Sequence, residues 1–115
     1  MFNLSNMKVL MHLPPVDMRK SINGLSILVT EVLKENPTSE QLFVFRNKSS
    51  NKIKLLYWER DGFWLFYKRL EKSRFKFPKM GDKIQMTMTQ LRWLLDGLDI
   101  GQMRERSELN YQYFY

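Results

Sequence analysis

Basic side chains are concentrated in one stretch of the sequence, from Gln41 to Lys79. This basic stretch carries eleven lysines and arginines against three acidic residues, a net charge of +8, whereas the whole chain carries +7. Clustered Lys and Arg side chains displace counterions from phosphates, which is the usual basis of affinity for nucleic acids. The sequence therefore predicts a polyanionic partner, with DNA as the leading hypothesis.

Eight cations are the candidates for contact with the DNA backbone: Arg46, Lys48, Lys52, Arg69, Arg74, Lys76, Arg19 and Lys20. Phosphate contacts give affinity and register but little sequence reading, and no recognition helix is evident, so weak specificity is expected. If about six phosphates are neutralised, the logarithm of the binding constant should fall with the logarithm of salt concentration at a slope near −5.

The basic stretch also has the turn signals of an antiparallel β-meander. Polar turn residues at 47–51, 60–62 and 72–73 interrupt runs of aromatic and branched residues. Asp61-Gly62 is the strongest hairpin signal, because glycine supplies the positive φ that a tight turn needs. The predicted strands are 42–46, 53–59, 63–70 and 74–77. Strict alternation in the last of them would bury Phe75 and Phe77 and leave Arg74 and Lys76 in water, so one sheet face is expected to be cationic.

Two further strands and two helices are predicted outside this stretch. A strand over 7–13 is stopped by two prolines. Apolar residues at spacings of three and four predict a helix over 18–35, with Asp17 as N-cap and with Arg19 and Lys20 in its first turn. A short strand at 83–86 is followed by Thr87-Met88-Thr89-Gln90, which has the spacing of a capping box and begins the second helix.

These elements predict an α+β fold, with a mainly antiparallel sheet of about five strands packed with two helices. A chain of 115 residues is long enough for one ordinary domain and too short for two. The single domain is predicted to span residues 1–100. Residues 101–115 are predicted to be a C-terminal tail, polar at first and then aromatic.

Aromatic residues provide a second hypothesis, in which the protein docks on another protein without binding DNA. The candidate contact residues are Trp93, Trp64, Tyr111 and Tyr113. Trp93 would lie opposite the leucine stripe of the second helix, where it is either exposed or covered by the aromatic tail. A third hypothesis, RNA stacking on the sheet, would require exposed rings among Phe43, Phe45, Phe63 and Tyr67.

Several classes of protein are excluded or disfavoured by the residues that the chain lacks. There is no cysteine and a single histidine, His12, which excludes thiolate metal sites and paired-histidine endonucleases. No P-loop, glycine-rich dinucleotide turn or serine nucleophile motif is present. We therefore expect a protein without catalytic residues, metal, cofactor or small-molecule substrate. No apolar run approaches the roughly 18 residues of a membrane span, so the expected location is the cytoplasm.

Seven segments in order resemble one family of accessory proteins. The resemblance is carried by Asp17-Met18-Arg19-Lys20-Ser21 with Gly24-Leu25, by Leu42-Phe43-Val44-Phe45-Arg46-Asn47, by Lys54-Leu55-Leu56-Tyr57-Trp58, by Asp61-Gly62-Phe63, by Tyr67-Lys68-Arg69-Leu70-Glu71, by Phe75-Lys76-Phe77-Pro78, and by Leu94-Leu95-Asp96-Gly97-Leu98-Asp99. On these segments the chain is similar to TnpB, the product of the second open reading frame of bacterial insertion sequences of the sixty-six family. This TnpB is unrelated to the RNA-guided nuclease of the same name.

The resemblance covers about residues 7 to 100 and implies a process more than a mechanism. It implies a non-catalytic accessory protein for transposition, encoded beside a separate DDE-type transposase. The expected partners are DNA at the element ends or the target, that transposase, and another accessory protein of the same element. The chain departs from the family pattern at Val16, where a small hydroxyl residue is expected, and in its aromatic tail.

Overall fold

The computed structural model describes residues 6–79 and 81–99, together with the backbone of 112–114. It confirms the α+β class, with two helices and a sheet whose neighbouring strands are mostly antiparallel. The elements in chain order are β1 (Lys8–His12), α1 (Ile22–Glu31), β2 (Gln41–Arg46), β3 (Lys52–Glu59), β4 (Gly62–Arg69), β5 (Lys83–Met86), α2 (Met88–Leu95) and β6 (Gln112–Phe114).

The strands form one sheet in the order β4-β3-β2-β1-β5-β6. The predicted meander is confirmed for β2, β3 and β4, which pair antiparallel in sequence order. β1 pairs parallel with β2, and Leu10 lies opposite Phe43. Two adjacent parallel strands need a crossover connection, and α1 supplies it. The remaining neighbours, β1 with β5 and β5 with β6, are antiparallel.

A hydrophobic core lies on each face of the sheet. On the α1 face, Leu25, Val29 and Leu33 pack against side chains of β1, β2 and β3 that include Phe43 and Phe45. On the α2 face, Leu91 and Leu94 of α2 pack against the strand side chains that point to this side of the sheet. Phe75 and Phe77, from the segment after β4, belong to the same core. Phe43 and Phe45 have no exposed surface, so neither ring is available for stacking on RNA.

Helix α1 is shorter than the predicted 18–35, and Asp17 is not its N-cap. The helix begins at Ile22 after Ser21 and ends at Glu31. Residues 17–20 form a turn instead, in which Lys20 N donates to Asp17 O at 3.0 Å. Lys54 Nζ donates to the carbonyls of Met18 and Lys20, at 2.7 and 2.9 Å. This tertiary contact uses carbonyl oxygens that helix propagation would need, so Arg19 and Lys20 precede the helix.

The hairpin between β3 and β4 lies where it was predicted, but its positive φ does not belong to glycine. Arg60 has a φ of 56°, in the left-handed region, whereas Gly62 is the first residue of β4 and pairs with Glu59. The turn residues are therefore Arg60 and Asp61. Placing an L-residue in the left-handed region costs roughly 1 kcal/mol. A Cβ added at Gly62 would meet no atom within 4 Å, so packing does not require glycine at this position.

The predicted strand at 74–77 is not part of the sheet. The segment is extended, and among the described residues it has one backbone bond to its neighbour, from Phe75 N to Ser50 O at 2.7 Å. Its alternation is nevertheless confirmed, because Phe75 and Phe77 are buried while Arg74 and Lys76 are exposed. Burial of the two rings on the α2 face, rather than strand pairing, keeps this segment extended.

The predicted capping box of α2 is confirmed. Gln90 N donates to Thr87 Oγ1 at 3.1 Å, and Thr87 N donates to Gln90 Oε1 at 2.8 Å. This box fixes the helix start next to β5, so that Leu91 and Leu94 face the sheet. Within residues 6–79 and 81–99, neither helix has the length and apolar character needed to cross a membrane.

Candidate nucleic-acid interface

Five cations line one hollow on the surface of the molecule, which we call the cationic hollow. Its volume is about 370 Å³, and it lies between the β2–β3 turn and the extended segment after β4. The lining cations are Arg46, Lys48, Arg74, Lys76 and Lys79, and they are accompanied by Ser49, Ser50, Phe75, Phe77, Pro78 and Asp99. The structure therefore brings together four of the eight predicted DNA-contact residues and adds Lys79.

Asn47 organises the turn that forms one wall of the cationic hollow. Its side-chain oxygen accepts hydrogen bonds from the backbone N–H groups of Asn51, at 3.1 Å, and Lys52, at 2.9 Å. Its side-chain nitrogen donates to Asn51 Oδ1 at 2.7 Å. An Asn side chain that bonds to the following backbone in this way is a common device for closing a turn. The closed turn presents Lys48 and Ser49 to solvent.

The opposite wall is the extended segment from residue 74 to 79. Phe75 is anchored twice, by its ring in the core of the α2 face and by the 2.7 Å bond from its N–H to Ser50 O. Because successive side chains of an extended chain point to opposite sides, burial of Phe75 and Phe77 directs Arg74 and Lys76 outward. Lys79, beyond the buried Pro78, is also exposed.

Arg46 differs from the other cations of the hollow because it is half-buried and held by the protein. Its Nε donates to Leu13 O at 2.6 Å, and its guanidinium lies 5.4 Å from the centre of the Phe77 ring. Burial lowers the pKa of Arg46 from its ordinary value, although a guanidinium remains protonated at neutral pH. Arg46 thus supplies a fixed positive charge between the two walls.

The positive charge of the hollow is largely unneutralised within the described residues. The two ion pairs in this part of the chain, Arg19 with Asp17 and Arg69 with Glu71, both lie elsewhere. Asp99 is the one acidic residue in the lining. Exposed lysine and arginine groups around a concave surface with two serine hydroxyls match the oxygens of a phosphate backbone in charge and hydrogen-bonding type.

Lys52 and Arg69 do not share this site. They lie directly opposite each other on β3 and β4, and their register places them on the α1 face, whereas the hollow lies on the α2 face. Arg69 NH2 is 2.8 Å from Glu71 Oε1, and this exposed pair partly neutralises it. The expectation of a single cationic sheet face is therefore wrong, because Lys52 and Arg69 lie on the α1 face whereas Arg46 lies on the α2 face.

Arg19 and Lys20 lie in the turn before α1, and Arg19 is neutralised. Its NH2 group is 2.6 Å from Asp17 Oδ2, and its Nε contacts both carboxylate oxygens. These hydrogen bonds lower the pKa of Asp17 to about 2, so the carboxylate stays charged at neutral pH. Lys20 is exposed, but neither residue is part of the cationic hollow.

The predicted protein-docking residues have different environments. Trp93 is half-buried and packs against the core of the α2 face, so it is less exposed than the helical wheel predicted. Trp64 is 46% exposed on β4; its Nε1 donates to Glu59 Oε1 at 2.8 Å. Tyr111 lies outside the described residues, and Tyr113 belongs to β6, of which only the backbone is described.

The site residues that sequence reasoning missed are Lys79, Ser49, Ser50 and Asp99. Lys79 follows the alternating segment closely enough to have been included. The two serines lie in a turn that Asn47 and Asn51 already marked, but only tertiary structure places this turn beside Phe75. In residues 6–79 and 81–99, no cluster of three His, Asp or Glu side chains is suited to hold a metal ion.

A small α+β domain with a cationic hollow is the class of protein that these observations define. Comparison with known families gives its relationship: residues 7–105 match the family described as IS66 Orf2 like protein. The match covers most of the chain, so the chain belongs to this family of insertion-sequence accessory proteins. The resemblance inferred from the seven sequence segments is thereby confirmed.

Two relatives come from Sinorhizobium fredii (strain NBRC 101917 / NGR234). The chain is 39% identical over 95 residues to "Uncharacterized protein y4hO", and this alignment covers 82% of the chain and 83% of the relative. It is 34% identical over 94 residues to "Uncharacterized protein y4jC", covering 81% and 80% respectively. No solved structure matches the chain.

Proposed function

We propose that this protein is a non-catalytic accessory factor of transposition that binds DNA through the cationic hollow. Membership of the IS66 Orf2 like family supports the role in an insertion sequence. The observation that carries the DNA-binding part is the grouping of five cations around one hollow, away from both ion pairs of the described residues. Its site of action would be cytoplasmic DNA, at the element ends or the target.

The chemistry of the hollow favours the phosphate backbone over the bases. Lys48, Arg74, Lys76 and Lys79 are exposed side chains on irregular backbone, and neither helix carries them. A base-reading element normally places a helix or a two-stranded ribbon in the major groove. Binding by the hollow alone would therefore give affinity with weak sequence preference.

Fluorescence anisotropy with a labelled element-end duplex and a scrambled duplex of equal length tests this proposal across a salt series. Five neutralised phosphates predict a slope near −4.5 for the logarithm of the binding constant against the logarithm of salt concentration, at about 0.9 per phosphate. We expect similar affinity for the two duplexes. A flat salt response would refute binding through phosphates.

A matched pair of triple variants shows whether the hollow is the binding surface. Arg74→Gln, Lys76→Gln and Lys79→Gln together remove three of its cations, so the slope should fall to about −2 and affinity at about 0.1 M salt should fall roughly 10²-fold or more. The control, Arg19→Gln, Lys52→Gln and Arg69→Gln, removes the same charge from outside the hollow. Equal losses in both variants would contradict a localised site.

Docking on the DDE-type transposase, or on another accessory protein of the element, is the second proposal. The 46% exposure of Trp64 supports it, because tryptophan is enriched among residues that dominate binding at protein interfaces. Co-purification of the transposase with the full chain tests it. Trp64→Ala should abolish capture if this surface is used, and capture that survives Trp64→Ala and Trp93→Ala together would refute the proposed surface.

A further inference from the structure

Strand β4 is an edge of the sheet that carries an unusual sequence for an edge. It occupies one end of the strand order, and no described strand pairs with its outer side. Residues 63–67 are all apolar or aromatic, Phe-Trp-Leu-Phe-Tyr, without proline or charge. Trp64 and Tyr67 are 46% and 53% exposed. Natural edge strands usually carry charges, prolines or bulges that prevent pairing with another chain, and the centre of β4 has no charge or proline.

Every second residue of β4 points its backbone N–H and C=O groups toward the open edge of the sheet. Leu70 N donates to Asn51 O at 2.7 Å, which marks these two residues as a hydrogen-bonded pair of the β3–β4 ladder. Such pairs alternate along an antiparallel ladder. The register then points the N–H and C=O groups of Phe63, Leu65 and Tyr67 away from β3. These groups form the template for another strand.

Charge is distributed unevenly along this edge. Asp61 precedes the apolar centre, whereas Lys68 and Arg69 follow it. An identical strand running antiparallel would bring the acidic end of one copy to the basic end of the other. This self-complementarity is the property that a twofold interface requires, because both copies present the same surface.

We propose that β4 pairs antiparallel with β4 of a second copy of this chain, about a twofold axis at Leu65. In this register Asp61 lies opposite Arg69 of the second copy, and Phe63 lies opposite its Tyr67 on the α1 face. Trp64 lies opposite Phe66 on the α2 face, where these two rings already stack within one chain at 6.2 Å between centres. Lys68 lies over Gly62, beside which space is open.

The neighbouring registers are less favourable. Because hydrogen-bonded positions repeat every two residues, the paired strand can shift only in steps that preserve this pattern. A shift in one direction places Asp61 opposite Glu71, and the opposite shift places Asp61 opposite Tyr67, so neither keeps Asp61 opposite Arg69. Like charges directly opposite each other destabilise a strand pair. A twofold axis perpendicular to the sheet also leaves both cationic hollows on the same side of the joined sheet.

Sedimentation velocity of the full chain over a range of concentrations tests the pairing by charge reversal. The unmodified protein should form a dimer whose population rises with concentration. Asp61→Arg alone, or Arg69→Asp alone, should weaken self-association roughly tenfold or more, because each reversal acts twice in a twofold dimer. An equimolar mixture of the two variants should associate like the unmodified protein, since every basic end then meets an acidic end.

Glu31→Arg and Arg92→Asp are the matched controls. They make the same charge changes at exposed positions on the two helices and should leave self-association unchanged. Circular dichroism should show that all four variants remain folded. A protein that stays monomeric at every concentration would overturn the proposal, as would a dimer that neither β4 variant weakens or a mixture that fails to recover association.

Amide hydrogen exchange gives a second readout that needs no variant. In the dimer the N–H groups of Phe63, Leu65 and Tyr67 become hydrogen-bonded, so their exchange should slow as protein concentration rises. Amides in α1 serve as the internal reference and should not change. A dimer in which these three amides show no concentration dependence would place the interface elsewhere and refute pairing through β4.

Discussion

Lys54 and Lys76 belong to the same basic stretch of sequence but occupy contrasting regions of the molecule. Lys54 is 8% exposed on the α1 face, where its ammonium group donates to the carbonyls of Met18 and Lys20 and lies 5.3 Å from the centre of the Tyr67 ring. Lys76 is exposed at the rim of the cationic hollow. One charge holds a turn of the backbone, and the other is available to solvent or to a partner.

The comparison shows why a count of basic residues overstates the charge available for binding. A buried lysine satisfied by carbonyl oxygens stabilises the fold and contributes little to contacts with a polyanion. A lysine on an extended segment that is anchored by neighbouring phenylalanines contributes little to stability and remains accessible. The two regions should therefore separate in experiments that measure stability and DNA affinity on the same variants.

Replacement of Lys54 should have the largest effect on stability. Lys54→Met keeps much of the side-chain volume but leaves the carbonyl groups of Met18 and Lys20 without their charged donor, so the free energy of unfolding should fall by about 3 kcal/mol. Urea denaturation followed by circular dichroism measures this change. The affinity of the folded variant for duplex DNA should be nearly unchanged. A loss below about 1 kcal/mol would contradict the structural role of Lys54.

Replacement of Arg46 should have intermediate effects on both properties, because this side chain belongs to the hollow and is also held by the protein. Arg46→Met removes the hydrogen bond to Leu13 O and the contact with the Phe77 ring, at a cost of about 1–2 kcal/mol. It should also lower the salt slope of DNA binding by about one unit. Arg46→Lys retains the charge, so it should restore more of the slope than of the stability.

Replacement of Lys76 should have the smallest effect on stability. Lys76→Met removes one exposed charge without unpairing a buried group, so the free energy of unfolding should change by less than about 0.5 kcal/mol. The salt slope should nevertheless fall by about one unit. Lys54→Met makes the same chemical change, but it should lower stability and leave DNA binding nearly unchanged, whereas Lys76→Met should weaken DNA binding and leave stability nearly unchanged. A destabilisation equal to that of Lys54→Met would remove the distinction between the regions.

Much of the fold could be predicted from local sequence, because its signals act over a few residues. The capping box at Thr87, the alternation around Phe75 and the hairpin near Asp61 depend on neighbours in the chain. Three departures from the predicted fold either have a tertiary cause or are a small displacement along the chain. Residues 18–21 leave the helix where Lys54 binds their carbonyl groups, 74–77 packs without joining the sheet, and the hairpin takes its positive φ at Arg60.

The sequence predicted that exposed lysines and arginines form the candidate site, but it did not predict correctly which of them lie together. The alternation rule identified Arg74 and Lys76 as exposed, and the turn signal identified Lys48. The same reasoning grouped Lys52 and Arg69 with them, because sequence alone does not show how the faces of several strands combine. Register between β3 and β4 assigned those two residues to the opposite face.

By itself, the sequence determined the α+β class, the meander, the apolar stripe of each helix and the membership of the IS66 Orf2 like family. These follow from periodicity and from ordered motifs, both of which are properties of the chain as a string. Only the tertiary structure decided which cations line the hollow, which lysine is buried, and which strand is left at the edge. Those outcomes depend on pairing between residues far apart in the chain, where packing of the whole domain overrides local preference.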